Sequence, residues 1–163
     1  MNEVAVGQMM EIMKAGFDPL FGEAWNRRQL SSALAMPGTQ HALIDVDGFI
    51  AQIVQRPAAG FCLSRRVVDE EELLLIAVRP DQRRRGFGGR LLAHLLRTAS
   101  EAGVTDLHLE MRADNPAASL YRAFGFVPVG GRSGYYRGSD GIMRDAVTFS
   151  RFLRFGQDEM PQH

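Results

Sequence analysis

The amino-acid sequence predicts an α+β fold: one mixed, mostly antiparallel twisted sheet flanked by helices, with a single βαβ unit set into it. Three observations carry that expectation. Leu73 to Val78, a glycine-rich turn, an amphipathic run from Gly86 to Ala102 and an alternating run from Leu107 to Arg112 follow one another as strand, turn, helix and strand. Upstream, three strand-like runs separated by turn residues read as an antiparallel meander. The chain has 163 residues and is 45% hydrophobic, the size of one domain with enough apolar residues for a core.

From the N-terminus, Val6, Met9, Met10, Met13 and Phe17 fall at helical spacing within Val4 to Phe17, and Asp18-Pro19 ends the pattern. The methionine stripe reads as core packing. A second helix is predicted from about Asn26 to Met36, with Leu30, Ala33 and Leu34 on one face and Pro37-Gly38 as its stop. The meander strands are His41 to Val46, Phe49 to Val54 and Phe61 to Val68, divided by Asp47-Gly48 and by Pro57 to Gly60. Leu73 to Val78 is apolar without alternation, as in a strand buried on both faces in the middle of a sheet.

In the helix that follows, Leu91, Leu92, Leu95, Leu96 and Ala99 form one stripe, and Gly103 stands where a C-terminal cap belongs. Leu107, Leu109 and Met111 then alternate with His108, Glu110 and Arg112, giving an apolar and a polar face. Asn115 to Phe124 resumes helical spacing, and Val127 to Val129 and Ala146 to Phe152 close the fold as strands. Residues 1–155 are expected to form the single domain, and 156–163 a polar, loose tail.

Charge and composition exclude several classes. The 19 basic residues balance 19 acidic ones, so no global field draws the chain to nucleic acid or to an anionic membrane. The N-terminus has no basic residue before Lys14 and so lacks a signal peptide's charged start, and Leu73 to Val78 is too short to cross a bilayer. A cytoplasmic protein is expected. Cys62, the single cysteine, has no partner for a disulfide or a multi-cysteine metal site, and no metal is expected. A lone cysteine on an apolar strand is more often core than nucleophile.

Between the apolar strand and the long helix lies Arg79-Pro80-Asp81-Gln82-Arg83-Arg84-Arg85-Gly86-Phe87-Gly88-Gly89. Glycines at a helix start let backbone approach a ligand, and the free N–H groups with the helix dipole favour an anion. Arginines add bidentate phosphate donors, so a pyrophosphate is the natural guest. A Walker loop needs Gly-Lys-Ser/Thr, and the only lysine is Lys14. A dinucleotide fingerprint needs a third glycine where Leu91 stands. The bland alternative is a solvated basic turn.

Arg83-Arg84-Arg85-Gly86-Phe87-Gly88 resembles the acetyl-CoA loop of the GNAT superfamily of N-acetyltransferases, Gln/Arg-x-x-Gly-x-Gly/Ala. The resemblance extends to Glu72 to Pro80 before the loop. It also takes in Asn115 to Ala118 with Leu120-Tyr121-Arg122-Ala123-Phe124-Gly125-Phe126, the family's Asn-x-x-Ala and Leu-Tyr-x-x-x-Gly-Phe. Leu109-Glu110-Met111-Arg112, Tyr135-Tyr136 and Asp145-Ala146 are similar to the RimI-like branch, which acetylates the N-terminal alanine of a small-subunit ribosomal protein. The similarity covers roughly residues 40 to 150. The Asn115-to-Tyr121 interval is one residue shorter than is usual there, and the short N-terminal region implies that the family's first strand is missing.

The resemblance implies a GNAT-like sheet and acetyl-CoA as cosubstrate. Backbone groups of Ile76, Ala77 and Val78 would hold the pantetheine and thioester carbonyl, and Arg83, Arg84, Arg85, Gly86, Phe87, Gly88 and Gly89 the pyrophosphate. Glu110 matches the general base, otherwise a solvent-facing glutamate; an N-terminal amine of pKa about 8 needs little help to lose its proton. Tyr121 matches the tyrosine that protonates the departing thiolate, and is equally a buried helix residue. Asn115 matches a cofactor-contacting asparagine, or serves as an N-cap. Tyr135 and Tyr136 line the acceptor groove or simply pack. The acceptor implied is a peptide or protein N-terminus, with a lysine or small amine as the alternative. A non-catalytic acyl-CoA-binding module is a further reading. An RNA-binding module on Arg83 to Arg85 lacks the broad basic face such modules use.

Overall fold

The structure is a computed structural model that describes residues 2–153. The predicted tail at 156–163 lies outside the described residues. Two helices come first, α1 (Glu3–Gly16) and α2 (Arg27–Ala35), capped by the side chains of Asn2 and Asn26. No strand precedes α1 among the described residues. Strands β1 (Thr39–Asp45), β2 (Ile50–Ala51), β3 (Ala58–Val67) and β4 (Glu70–Val78) follow, then α3 (Phe87–Glu101) and β5 (Asp106–Arg112). Helix α4 (Ala118–Ala123) and the hairpin β6 (Val127–Arg137) and β7 (Met143–Phe152) complete the order.

The seven strands form one sheet in the order β2-β1-β3-β4-β5-β7-β6. Among the described residues only β4 and β5 pair in parallel, joined by α3 as the predicted βαβ unit. Adjacent strand residues point to opposite faces, which divides the core in two. Leu43, Phe61 and Leu63 pack under α1 and α2 with Val6, Met9, Met13 and Leu30. Ala42, Ile44 and Cys62 pack on the other face beneath Leu91, Leu92, Leu95 and Leu96 of α3. The methionine stripe and the leucine stripe are therefore core. Among the described residues no helix is long and apolar enough to cross a membrane.

Several boundaries differ from the sequence expectation. The predicted strand Phe49 to Val54 shrinks to Ile50–Ala51, because the next residues turn to α1: the Gln8 amide donates to the Val54 carbonyl at 2.8 Å. Strand β3 starts at Ala58, inside the stretch read as a turn. Gly60 fits there because a Cβ would stand 2.8 Å from the Ala77 carbonyl oxygen, so two strands approach more closely than a side chain allows. Strand β6 continues to Arg137 past the predicted Val129, irregular between Arg132 and Tyr136. Helix α4 begins at Ala118, since Asn115 forms a turn of its own, its side-chain oxygen accepting from the Ala117 N–H at 2.9 Å. Arg112, assigned to a polar face, is buried by ion pairs described below.

Candidate functional site

The cleft begins where one strand loses a neighbour. Strand β4 pairs with β3 from Glu70 to Val78, but with β5 only at Glu70, Glu71 and Glu72. Strand β5 stays with β7 along its whole length, from Asp106↔Phe152 to Arg112↔Ala146. The two halves of the sheet therefore part beyond Glu72. That is why the predicted two-sided burial of Leu73 to Val78 ends early: Leu73 and Leu75 are buried, whereas Ile76, Ala77 and Val78 are half-buried and line a cleft of about 960 Å³.

The open edge of β4 carries unpaired backbone. The Arg79 N–H donates to the Ala59 carbonyl on β3 at 2.8 Å. Strand alternation then turns the Ile76 and Val78 amides the opposite way, into the gap. An extended amide-bearing ligand can lie there as an added strand.

The gap runs into the N-terminus of α3. Gly86 caps the helix with φ +77°, a left-handed conformation that favours glycine, and a Cβ there would meet nothing within 4 Å. Gly86, Phe87, Gly88 and Gly89 all line the cleft. The three arginines before them separate. Arg83 spends its guanidinium on the Val78 carbonyl at 3.2 Å and the Gly16 carbonyl at 2.9 Å, tying α1 to the turn. Arg84, with φ +63°, lines the cleft, and its guanidinium has no hydrogen bond or ion pair among the described residues. Arg85 bonds Gln82, stacks on the Phe87 ring at 4.6 Å and does not line the cleft. Bare amides, a helix dipole and one uncommitted guanidinium suit a pyrophosphate, and the open strand edge suits the amide-bearing arm of acetyl-CoA.

Asn115, Pro116, Ser119, Leu120 and Tyr121 form the facing wall. Tyr121 is 5% exposed, its ring 5.9 Å from Phe126 and 6.3 Å from Phe149, and burial pushes its phenol pKa up. Asn115 is in the cleft with its side-chain oxygen already accepting from Ala117.

Glu110, Tyr135 and Tyr136 are not among the residues of that cleft. They form a neighbouring group. Glu110 is half-buried and faces Arg132 at 3.4 Å, while Arg132 stacks on Tyr135 at 4.7 Å and Tyr135 meets Tyr136 edge-on at 5.1 Å. Burial raises the Tyr136 pKa, with Glu110 and Glu23 adding to the effect. The two groups meet through Glu23 and Arg112, which line the cleft and are bonded to each other at 2.7 Å.

Residues 41–128 match the acetyltransferase (GNAT) domain family, more than half of the chain. The chain belongs to the GNAT acetyltransferases. It is 44% identical over 93 residues to the ribosomal protein bS18-alanine N-acetyltransferase of Escherichia coli strain K12, a match covering 56% of this chain and 62% of that relative's length. The putative enzyme of the same description from Bacillus subtilis strain 168 is 31% identical over 113 residues, 68% of this chain and 70% of the relative. A crystal structure of the ribosomal-protein-S18-alanine N-acetyltransferase from Escherichia coli superposes with a TM-score of 0.77 at 26% identity, covering 98% of this chain and 96% of that one. The GNAT resemblance, the RimI-like branch and the mixed sheet with one βαβ unit are thus borne out.

Sequence reasoning did not single out Phe21, Glu23 or Arg112 as site residues. The segment from Asp18 to Trp25 has no periodicity, and Arg112 was absorbed into an alternating pattern. The signal that could have found it was an arginine at the end of a strand beside Asp114.

Proposed function

We propose that this GNAT protein transfers an acetyl group from acetyl-CoA to a primary amine, the N-terminal α-amine of a protein, with the N-terminal alanine of a ribosomal protein as its acceptor in the cytoplasm. The observation that carries the reading is the cleft in which the unpaired edge of β4 runs into the glycine N-terminus of α3. Residues 1–155 act as one domain in this reading.

Acetyl-CoA supplies an activated acyl group as a thioester. The Ile76 and Val78 amides align its arm along β4 and place preorganised donors near the oxygen on which charge develops. Gly86 to Gly89 bind the pyrophosphate through backbone N–H groups at the start of α3, with Arg84 as the adjoining cation. Arg83 and Arg85 shape the turn, through the carbonyls of Val78 and Gly16 and through Gln82 and Phe87.

Glu110 takes the proton from the incoming amine, directly or through one water. Tyr121 donates a hydrogen bond and then its proton to the departing sulfur; burial keeps the phenol protonated across the neutral range. Asn115 holds the turn before α4 and so the orientation of Tyr121. Tyr135 and Tyr136 flank the acceptor beside Glu110.

The test is mass spectrometry of an acetyl-CoA reaction with two peptides, one with a free N-terminal alanine and no lysine, the other N-terminally blocked with an internal lysine. Acetylation of the first alone is expected. Acetylation of the second alone would reassign the acceptor to a lysine. Tight acetyl-CoA binding with neither product would move the reading to a small amine or a non-catalytic acyl-CoA-binding module.

A further inference from the structure

Opposite the glycine turn, the cleft is walled by the segment that joins α1 to α2, through Phe17, Asp18, Phe21 and Glu23. This segment holds only a single 3-10 turn, Pro19–Phe21, and its side chains are half-buried or exposed. It needs an anchor, and the structure supplies one from the far half of the sheet. The Arg112 guanidinium lies over the Phe21 ring at 3.4 Å, and that of Arg144 lies 5.0 Å from the same ring. Arg112 donates to Glu23 at 2.7 Å and to Asp114. Arg144 pairs with Asp114 at 3.4 Å and with Asp140 at 2.9 Å, and the Ser139 N–H donates to the Leu20 carbonyl at 2.8 Å.

These contacts make one device. Two arginines and two aspartates from β5, β7 and their turns grip one phenylalanine and one glutamate of the segment. The Arg112 side chain is 7% exposed, so its charge is desolvated and held by Glu23 and Asp114 together. It also lies two residues beyond Glu110 on the same strand, so one strand carries both the proposed base and the anchor. A guanidinium can fork to two carboxylates while its planar face stacks on a ring; an ammonium has three donors but no planar face to stack.

We propose that Arg112 is a positioning residue for the acceptor: by clasping Phe21 and Glu23 to the end of β5 it sets the wall against which the acceptor amine is presented to Glu110. The inference rests on the acetyltransferase reading above for its catalytic consequence, and on the contacts alone for its mechanical one. The Arg112 side chain makes no hydrogen bond or ion pair to β4 or α3 among the described residues.

The experiment compares wild type with Arg112→Lys, Phe21→Leu and Arg144→Gln in three measurements. The acceptor KM should rise about tenfold in Arg112→Lys and Phe21→Leu, while the Kd for acetyl-CoA stays within about twofold. Hydrogen exchange should quicken about tenfold at the amides of residues 18–25 and stay unchanged in α3. Arg144→Gln keeps the buried Arg112 in place and should give a smaller change of the same kind. Full rescue of acceptor KM by Arg112→Lys, or segment exchange unaltered in all three variants, overturns the clasp. A wild type that acetylates neither peptide defeats the functional reading instead, and the exchange data still decide the clasp.

Discussion

The cleft's glycine side and the side chains facing and flanking it are made of different material. The side on β4 and α3 is mostly backbone: the free edge of β4, the amides of Gly86 to Gly89 and a helix dipole. Its opposite wall and the group beside it are mostly side chain: Phe21 and Glu23 held by Arg112, Glu110 against Arg132, and Tyr135 against Tyr136. A backbone site is set by conformation, so it is broken by changing what φ or charge a position can hold. A side-chain site is set by partners and is broken by deleting one of them. In the proposed reading the side chains assigned chemistry can therefore fail while acetyl-CoA still binds, and the reverse.

The largest separation should come from Tyr121→Phe. Losing the donor is expected to lower kcat about a thousandfold while acetyl-CoA affinity stays within about twofold, by stopped-flow turnover and calorimetry. Equal losses in both would show that the ring packs the fold rather than serves the sulfur. Glu110→Gln should follow the same split, with a fall of about a hundredfold in kcat/KM for the peptide.

Gly86→Glu reverses the split. A side chain at φ +77° is strained, and a carboxylate placed at the helix start repels phosphate, so Kd for acetyl-CoA should rise at least about a hundredfold, or about 2.8 kcal/mol. Because a Cβ there meets nothing within 4 Å, the loss would not stem from a clash inside the protein. Gly86→Ala carries the same φ strain without the charge, so its loss should be smaller, about tenfold, and a loss equal to that of Gly86→Glu would argue that conformation alone carries the site.

Gly60→Ala tests how the open edge of β4 is set from behind. With its Cβ 2.8 Å from the Ala77 carbonyl oxygen, the substitution must push β3 and β4 apart, costing about 1–3 kcal/mol in denaturant unfolding and weakening acetyl-CoA binding with it. Unfolding with unchanged cofactor affinity would show that the edge is set independently of β3.

The smallest effect lies away from the cleft. Burial raises the Cys62 thiol from 9.0 to about 12, which favours the neutral form in the fold. Its contribution is fully present below pH 9.0 and is lost as pH climbs toward about 12, since the unfolded chain releases that proton first. Cys62→Ala should flatten the alkaline decline of stability in pH-dependent thermal unfolding while leaving acetyl-CoA binding unchanged.

Much of the cleft's glycine side was legible in the sequence, because its signals are local. The stripe Leu91, Leu92, Leu95, Leu96 and Ala99 fixed α3, and the glycines from Gly86 to Gly89 marked its start. Glu110 and Tyr121 emerged only through resemblance, since a glutamate on a strand and a tyrosine on a helix carry no chemistry in their spacing. The three arginines looked equivalent and are not: only contacts to Val78, Gly16 and Gln82 distinguish Arg83 and Arg85 from Arg84.

By itself the sequence determined the elements and their order, because helical and strand periodicities are set within a few residues and a glycine turn is set by its own φ. Tertiary structure alone decided where β4 leaves β5, which amides that departure exposes, and that Phe21, Glu23, Arg112 and Arg144 come together. Phe21 and Arg144 are far apart in the chain, and strand pairing depends on which neighbours each strand finds across the sheet. No local pattern encodes that choice.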